Sequence, residues 1–293
     1  DKFSEADDVS NYLSGVLSIN DNQYTKSYDY LKSLNNLEDS HYIYAQYYQY
    51  SLITLGKFKE AAKYSKKLND KKLDNFESNL ISAIYHLKDK NIKKTLFYLK
   101  KLDSKNQPGT IQDLLSTSLN AWVNFKNITN LESGLSLLDL IPDKFKGVKD
   151  IQKTLAYCYF DSLKTDEMFK QLTSNPDINY SRYHFFHSNY LISKNEEKKT
   201  KEVIESSLVL YPKNLMLNQL KLDFKEKKEY QNKFDCKNPT DVIAEISYVV
   251  SNVLASQKNY KASNFYLNLA KYLNPSFISF DLLYAENFLF IQE

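Results

Sequence analysis

The chain has 293 residues, with 39 basic and 36 acidic side chains and a formal net charge of +3. It holds only five glycines and six prolines, several-fold fewer than the average usage of about 7% and 5%. Turns draw on Gly, Pro and Asn, so this scarcity excludes turn-rich β-sandwiches, Gly-rich phosphate loops and nucleotide folds, and predicts long helices with short polar connections.

Taken in chain order, the predicted elements fall into helix pairs near 8–34, 42–68, 76–102, 113–141, 148–172, 181–210 and 244–272. The first three pairs repeat with an offset of 34 residues. Tyr24, Phe58 and Ile92 form an aromatic or apolar column, and Ser27, Ala61 and Thr95 a small one. Tyr30, Tyr64 and Tyr98 then align, as do Leu34, Leu68 and Leu102. Neither helix of such a pair buries its apolar face alone, so neighbours must stack. In 113–141 a longer first helix contains Trp122, and Leu131, Gly134, Leu138 and Ile141 before Pro142 fit its partner. The segment 148–172 reads as a shortened unit, and an extra helix is expected near 214–228. The polar stretch 229–240 reads as a loop, after which Thr240 or Asp241 caps the next helix. A terminal helix over 276–292 carries Phe277, Phe280, Leu283, Tyr284, Phe288 and Leu289. It is too apolar for a solvent-facing cap, so it is expected to pack on further structure or to meet a partner.

On these residues the chain resembles the tetratricopeptide repeat (TPR) family. That family repeats two antiparallel helices every 34 residues, with small residues at positions 8, 20 and 27, Gly-x-Tyr at 15–17 and Pro at 32. Gly15 and Ala83 match position 8 of the first and third units, whereas Gln49 departs from it in the second. Ser188, Asn195, Thr200, Ser207 and Pro212 follow the pattern in one later unit, and Ser251, Tyr260, Ser263, Ala270 and Pro275 in another. The opening Phe3-Ser4-Glu5-Ala6 and the block ending Tyr272-Leu273-Asn274-Pro275 also resemble long TPR proteins of alphaproteobacteria. That narrower resemblance implies further repeats and an export signal. The family resemblance implies an all-α fold, a single α-solenoid superhelix over 1–293. It further implies that first helices line a concave groove that binds a protein or peptide. The groove residues so assigned are Tyr12, Val16, Ile43, Gln46, Tyr47, Tyr50, Ile53, Leu80, Ile84, Arg182, Phe185 and Asn189. They are mainly apolar and aromatic, unlike a Lys/Arg carboxylate clamp, and suit an amphipathic helix or an extended apolar segment. Each is equally placed to pack against an adjacent first helix.

Chemistry-bearing residues are few. His184 and His187 share a helix face, but no Cys or third His lies at ligand spacing, and both sit at packing positions. Cys158 and Cys236 are too few for a disulfide framework or a Cys-based zinc site, and two independent core thiols are expected. No GxSxG, GxGxxG or GxxxxGK[ST] motif occurs. Neither enzymatic activity nor a cofactor or metal is therefore expected. Lysine clusters such as Lys66-Lys67 and Lys71-Lys72 are interspersed with acids and read as solvated outer faces. With Arg182 the sole arginine, no nucleic-acid partner is expected. No stretch of about 18 apolar residues occurs, so no membrane span is predicted. Asp1 stands where Met would begin a nascent chain, which points to processing or trimming and leaves both cytoplasmic and periplasmic or membrane-associated locations open. The function expected is a non-catalytic protein–protein interaction scaffold; the alternatives are a cell-envelope assembly or secretion accessory factor, or the targeting module of a longer protein.

Overall fold

The computed structural model describes residues 6–34, 36–103, 107–175, 177–228, 233–277 and 279–291. Among them the protein is all-α, with sixteen α-helices and no strand. The first three pairs are α1 (Ala6–Asn20) and α2 (Tyr24–Lys32), α3 (Tyr42–Thr54) and α4 (Phe58–Asp70), and α5 (Phe76–Lys88) and α6 (Ile92–Asp103). Next come α7 (Ile111–Asn124) and α8 (Leu131–Asp139), then α9 (Lys146–Tyr159) and α10 (Thr165–Leu172). After α11 (Ser181–Ser193) and α12 (Glu197–Leu210) stands the expected extra helix, α13 (Leu215–Glu226). The chain closes with α14 (Pro239–Ser256), α15 (Tyr260–Leu273) and α16 (Ser279–Ile291). Pro176 and residues 229–232, part of the expected loop, lie outside the described residues.

Local chemistry sets these boundaries. Asn75 and Ser78 form a reciprocal capping box at the start of α5, and Asn130 and Asn214 cap α8 and α13 through their side chains. α14 starts at Pro239, ahead of the expected Thr240 or Asp241 cap and of the expected boundary at 244. Proline tolerates the first helical position because it lacks the N–H that would go unpaired there. The Asn238 side chain accepts the Thr240 amide at 3.2 Å instead.

Six turns within helix pairs close in one way. Asn22, Gly56, Lys90, Asp161, Asn195 and Lys258 all adopt left-handed φ, between 57° and 69°. In each turn this residue donates its amide three residues back, and the next residue donates five residues back. Gly56 to Ile53 (3.0 Å) and Lys57 to Leu52 (2.8 Å) are one instance; Lys90 to Leu87 (3.0 Å) and Asn91 to His86 (2.8 Å) are another. These paired bonds satisfy carbonyls that a helix end leaves free. The α7–α8 connection departs from the series, using a 3-10 turn at Phe125–Asn127.

The helices cluster into two compact units, one of residues 1–116 with 250–273, the other of 117–249 with 274–293. In the first unit, consecutive helices from α1 to α6 pack on their neighbours. The small-residue column is fully covered there: Ser27, Ala61, Thr95 and Ser263 are at most 1% exposed. At Gly15 a Cβ would lie 2.6 Å from Leu31 Cδ2, so glycine is what lets α2 approach α1. α15 packs on α3 and α5 and is buried nearly all round, from Ser263 to Leu273.

In the second unit Trp122 is wholly buried, and its indole N–H donates to Gln152 Oε1 at 3.0 Å. Gln152 in turn donates to Ser118 Oγ at 2.8 Å, so the ring's polar edge is satisfied. The two cysteines are not independent thiols. Cys158 at the end of α9 is disulfide-bonded to Cys236, with Cα atoms 5.9 Å apart, inside the usual range for such a bond. Phe234 stacks on Phe186 of α11 at 3.7 Å, which holds the segment before α14 where Cys236 can reach Cys158. A separation of 78 residues hid that juxtaposition from the sequence. α16 buries Phe280 and Leu283 while leaving Leu282 and Leu289 more than 60% exposed.

Candidate functional site

The inner-face residues assigned from the repeat divide between the two units. In the first unit Ile53, Leu80 and Ile84 are at most 1% exposed, and Tyr50 meets Phe265 of α15 edge-on with ring centroids 4.9 Å apart. Two further contacts fix α15: Phe58 stacks on Tyr272 at 3.8 Å, and Lys88 Nζ donates to the Leu273 carbonyl at 2.7 Å. Burial pushes the Tyr50 hydroxyl far up, the nearby Glu77 carboxylate adds to this, and Gln46 draws it partly back. Burial likewise raises the Glu77 carboxyl. α15 therefore stands against Tyr50, while Ile53, Leu80 and Ile84 are closed to solvent within the packed helices. Tyr12 is drawn elsewhere, to His41, whose Nε2 shares a hydrogen bond with its hydroxyl. Val16, Ile43, Gln46 and Tyr47 are half-buried.

In the second unit Arg182 is the centre of a polar cluster rather than a surface cation. Its Nε lies 2.8 Å from both oxygens of Glu245, its Nη2 donates to Oε2 at 2.5 Å, and its Nη1 donates to Ser279 Oγ at 2.6 Å. The guanidinium stands 3.9 Å from the Tyr248 ring centroid and 4.3 Å from that of Phe277, with Phe186 and Phe280 at 5.3 Å. Glu245 is 1% exposed and also accepts the Tyr183 hydroxyl at 3.2 Å. Phe185 is buried 6.0 Å from Phe277. Asn189, half-buried, lines a cleft of about 760 Å³ with Tyr190, Lys194, Phe234 and Lys237.

His187 is buried against Phe169 (4.8 Å, stacked), with Nε2 2.8 Å from Asp166 Oδ1. Burial pulls its pKa down to about 4, with Asp166 opposing. His184, also buried, lies 5.9 Å from Tyr211. Among the described residues no group of three or more His, Cys, Asp and Glu side chains is placed to hold a metal ion, and no helix is long and apolar enough to cross a membrane.

An open cleft between α2, α3 and α4 was not foreseen from the sequence. It has a volume of about 760 Å³, and its apolar wall is formed by Leu34, Tyr44, Tyr48 and Tyr64. Tyr28, Tyr48 and Tyr44 stack almost parallel, at 6.2 and 5.9 Å, and Tyr64 meets Tyr48 edge-on at 4.9 Å. The Tyr44 hydroxyl donates to the carbonyls of Leu31 and Leu34, both at 2.9 Å, which fixes the stack. Burial pushes the Tyr48 hydroxyl up to about 12. Five lysines line the cleft: Lys32, Lys63, Lys66, Lys67 and Lys71. Lys67 and Lys71 grip the buried Glu38 at 2.6 and 2.8 Å. Burial alone would raise the Glu38 carboxyl, but these two ammonium groups hold it below its ordinary value. Lys66 pairs at 2.6 Å with Asp70 while both are more than 60% exposed. The signal available in the sequence was the density of lysine from 57 to 72, seven against two acids. Its meaning depended on the tyrosines of α3 standing behind it. Neither a scan against models of known protein families nor a search of curated proteins finds a match to this chain.

Proposed function

We propose that the chain is a non-catalytic protein-interaction scaffold, a TPR-like α-solenoid that offers helix faces to a protein or peptide. One observation carries the reading, the recurrence of a single structural unit. The left-handed turn recurs at 22, 56, 90, 161, 195 and 258, and in five of these six pairs a small residue five places on is fully buried: Ser27, Ala61, Thr95, Thr200 and Ser263. Stacked repeats of one unit generate extended surfaces. Tyr50 lies against α15 and Ile53, Leu80 and Ile84 are buried, so none of them is open to a partner, and the second-helix side around α2 and α4 is the surface assigned to it.

The test is crosslinking affinity purification from cells that make the chain, with quantitative mass spectrometry. Wild type is compared with Lys63→Glu plus Lys66→Glu and with Tyr47→Ala plus Tyr50→Ala. A specifically enriched protein whose yield falls in the lysine variant supports the reading. Enrichment of nothing above a tag-only control refutes it.

The alternative, an exported envelope assembly or secretion factor, has one observation in its favour. Both cysteines of the chain are consumed in the Cys158–Cys236 disulfide, and such bonds persist in oxidising compartments. Maleimide labelling of the chain in intact cells tests this alternative; two free thiols in the native protein would remove its support.

A further inference from the structure

We propose that the lysine-rimmed tyrosine cleft of α2–α4 docks an acidic, extended peptide segment carrying an apolar side chain. The inference rests on the scaffold reading and names the chemistry of its partner. The first argument is charge. The whole chain carries only +3, yet residues 57–72 hold seven lysines against two acids. Four of these seven, Lys63, Lys66, Lys67 and Lys71, line the cleft together with Lys32. The second argument is which of these charges are available. Lys67 and Lys71 are committed to Glu38, whereas Lys32 and Lys63 form no ion pair among the described residues. Lys66 holds only the solvent-exposed Asp70, an (i, i+4) pair worth a few tenths of a kcal/mol and readily exchanged for an incoming carboxylate.

The third argument separates peptide from nucleic acid. Half-buried Tyr48 offers ring surface beside the lysines, with Tyr64 behind it only 8% exposed, and such a surface would also suit a base. The rim, however, includes the carboxylates Glu60 and Asp70. A phosphodiester backbone presents acceptors only and has no donor to offer these two carboxylates. A peptide brings carboxylates for Lys32, Lys63 and Lys66 and backbone N–H donors for the acids. The tyrosine wall then takes the apolar side chain, with little rotamer entropy to lose.

The test uses fluorescence anisotropy with a short fluorescein-labelled peptide of glutamates around a central phenylalanine. Oligothymidine and the matching lysine peptide are the comparators. The glutamate peptide is expected to bind, to weaken as salt rises and to lose at least tenfold in affinity with Lys63→Glu plus Lys66→Glu. At these exposed positions the far-UV circular dichroism melt should shift only slightly, by the few tenths of a kcal/mol of the lost Lys66–Asp70 pair. Lys198→Glu plus Lys199→Glu, an exposed pair on α12, should leave affinity within twofold of wild type. No binding of the glutamate peptide, equal loss in both double variants, or tighter binding of oligothymidine each overturns the docking assignment. Failure of the peptide while affinity purification still enriches a partner sinks this inference alone; an empty purification sinks the scaffold reading itself.

Discussion

Arg182 provides the sharpest test of the second unit. Its side chain is 11% exposed and that of Glu245 is 1% exposed, so both charges lie out of bulk water. Replacing Arg182 with Met removes the three contacts to Glu245 and the bond to Ser279, and leaves a buried carboxylate without a counter-charge. Breaking one side of a buried pair costs about 3–5 kcal/mol, much of it the uncompensated charge. Arg182→Lys keeps the charge but loses the planar fork and its stacking over Tyr248 and Phe277, for an expected loss of about 2 kcal/mol. Arg182→Met with Glu245→Leu removes both charges together and should recover most of the loss, to within about 1–2 kcal/mol of wild type. Urea denaturation followed by fluorescence is the assay. Trp122 is the only tryptophan and lies buried in the same unit, so its emission reports that unit directly. A loss below about 1 kcal/mol for Arg182→Met, or a double variant no more stable than the single one, would show that the pair does not hold the helices as argued.

Three further outcomes follow from other residues. The pKa of His187 is about 4 in the fold against 6.5 unfolded, so between these values the unfolded chain binds the extra proton. Stability is then full above about pH 6.5 and falls by about 3 kcal/mol as pH drops to 4; urea midpoints of His187→Gln should lack this slope, and an unchanged slope would exonerate the imidazole. At the left-handed turns, Lys90→Gly should stabilise and Gly56→Ala destabilise, each by about 1 kcal/mol, because only glycine occupies that region without Cβ strain; a Cβ at Gly56 would touch nothing within 4 Å, so any measured loss is conformational. Thiol reduction, or Cys158→Ala with Cys236→Ala, should lower stability by up to about 4 kcal/mol, since the bond closes a loop of 78 residues in the unfolded chain; a midpoint insensitive to reductant would contradict that role.

Much of the helical layout was legible because its signals are local. The scarcity of Gly and Pro and the columns of Ser27, Ala61 and Thr95 and of Leu34, Leu68 and Leu102 are read from neighbouring residues alone. In the structure α3 and α4 span 42–70 and α5 and α6 span 76–103. The candidate site was less legible. A lysine on α4 reads as solvated until the stacked rings of α3 are placed beside it, and Tyr50 reads equally as a ligand contact or a core residue until α15 is placed over it.

By itself, then, the sequence determined that the chain is helical and which small, aromatic and leucine columns recur along it. Those choices depend on backbone propensity and on side chains three to five positions apart. Tertiary structure alone decided that α15 packs on α3 and α5, that Arg182 finds Glu245 and that Cys158 finds Cys236. The partners in the last two cases stand 63 and 78 residues apart. Helical periodicity states that a face must be covered; only the packed chain establishes by what.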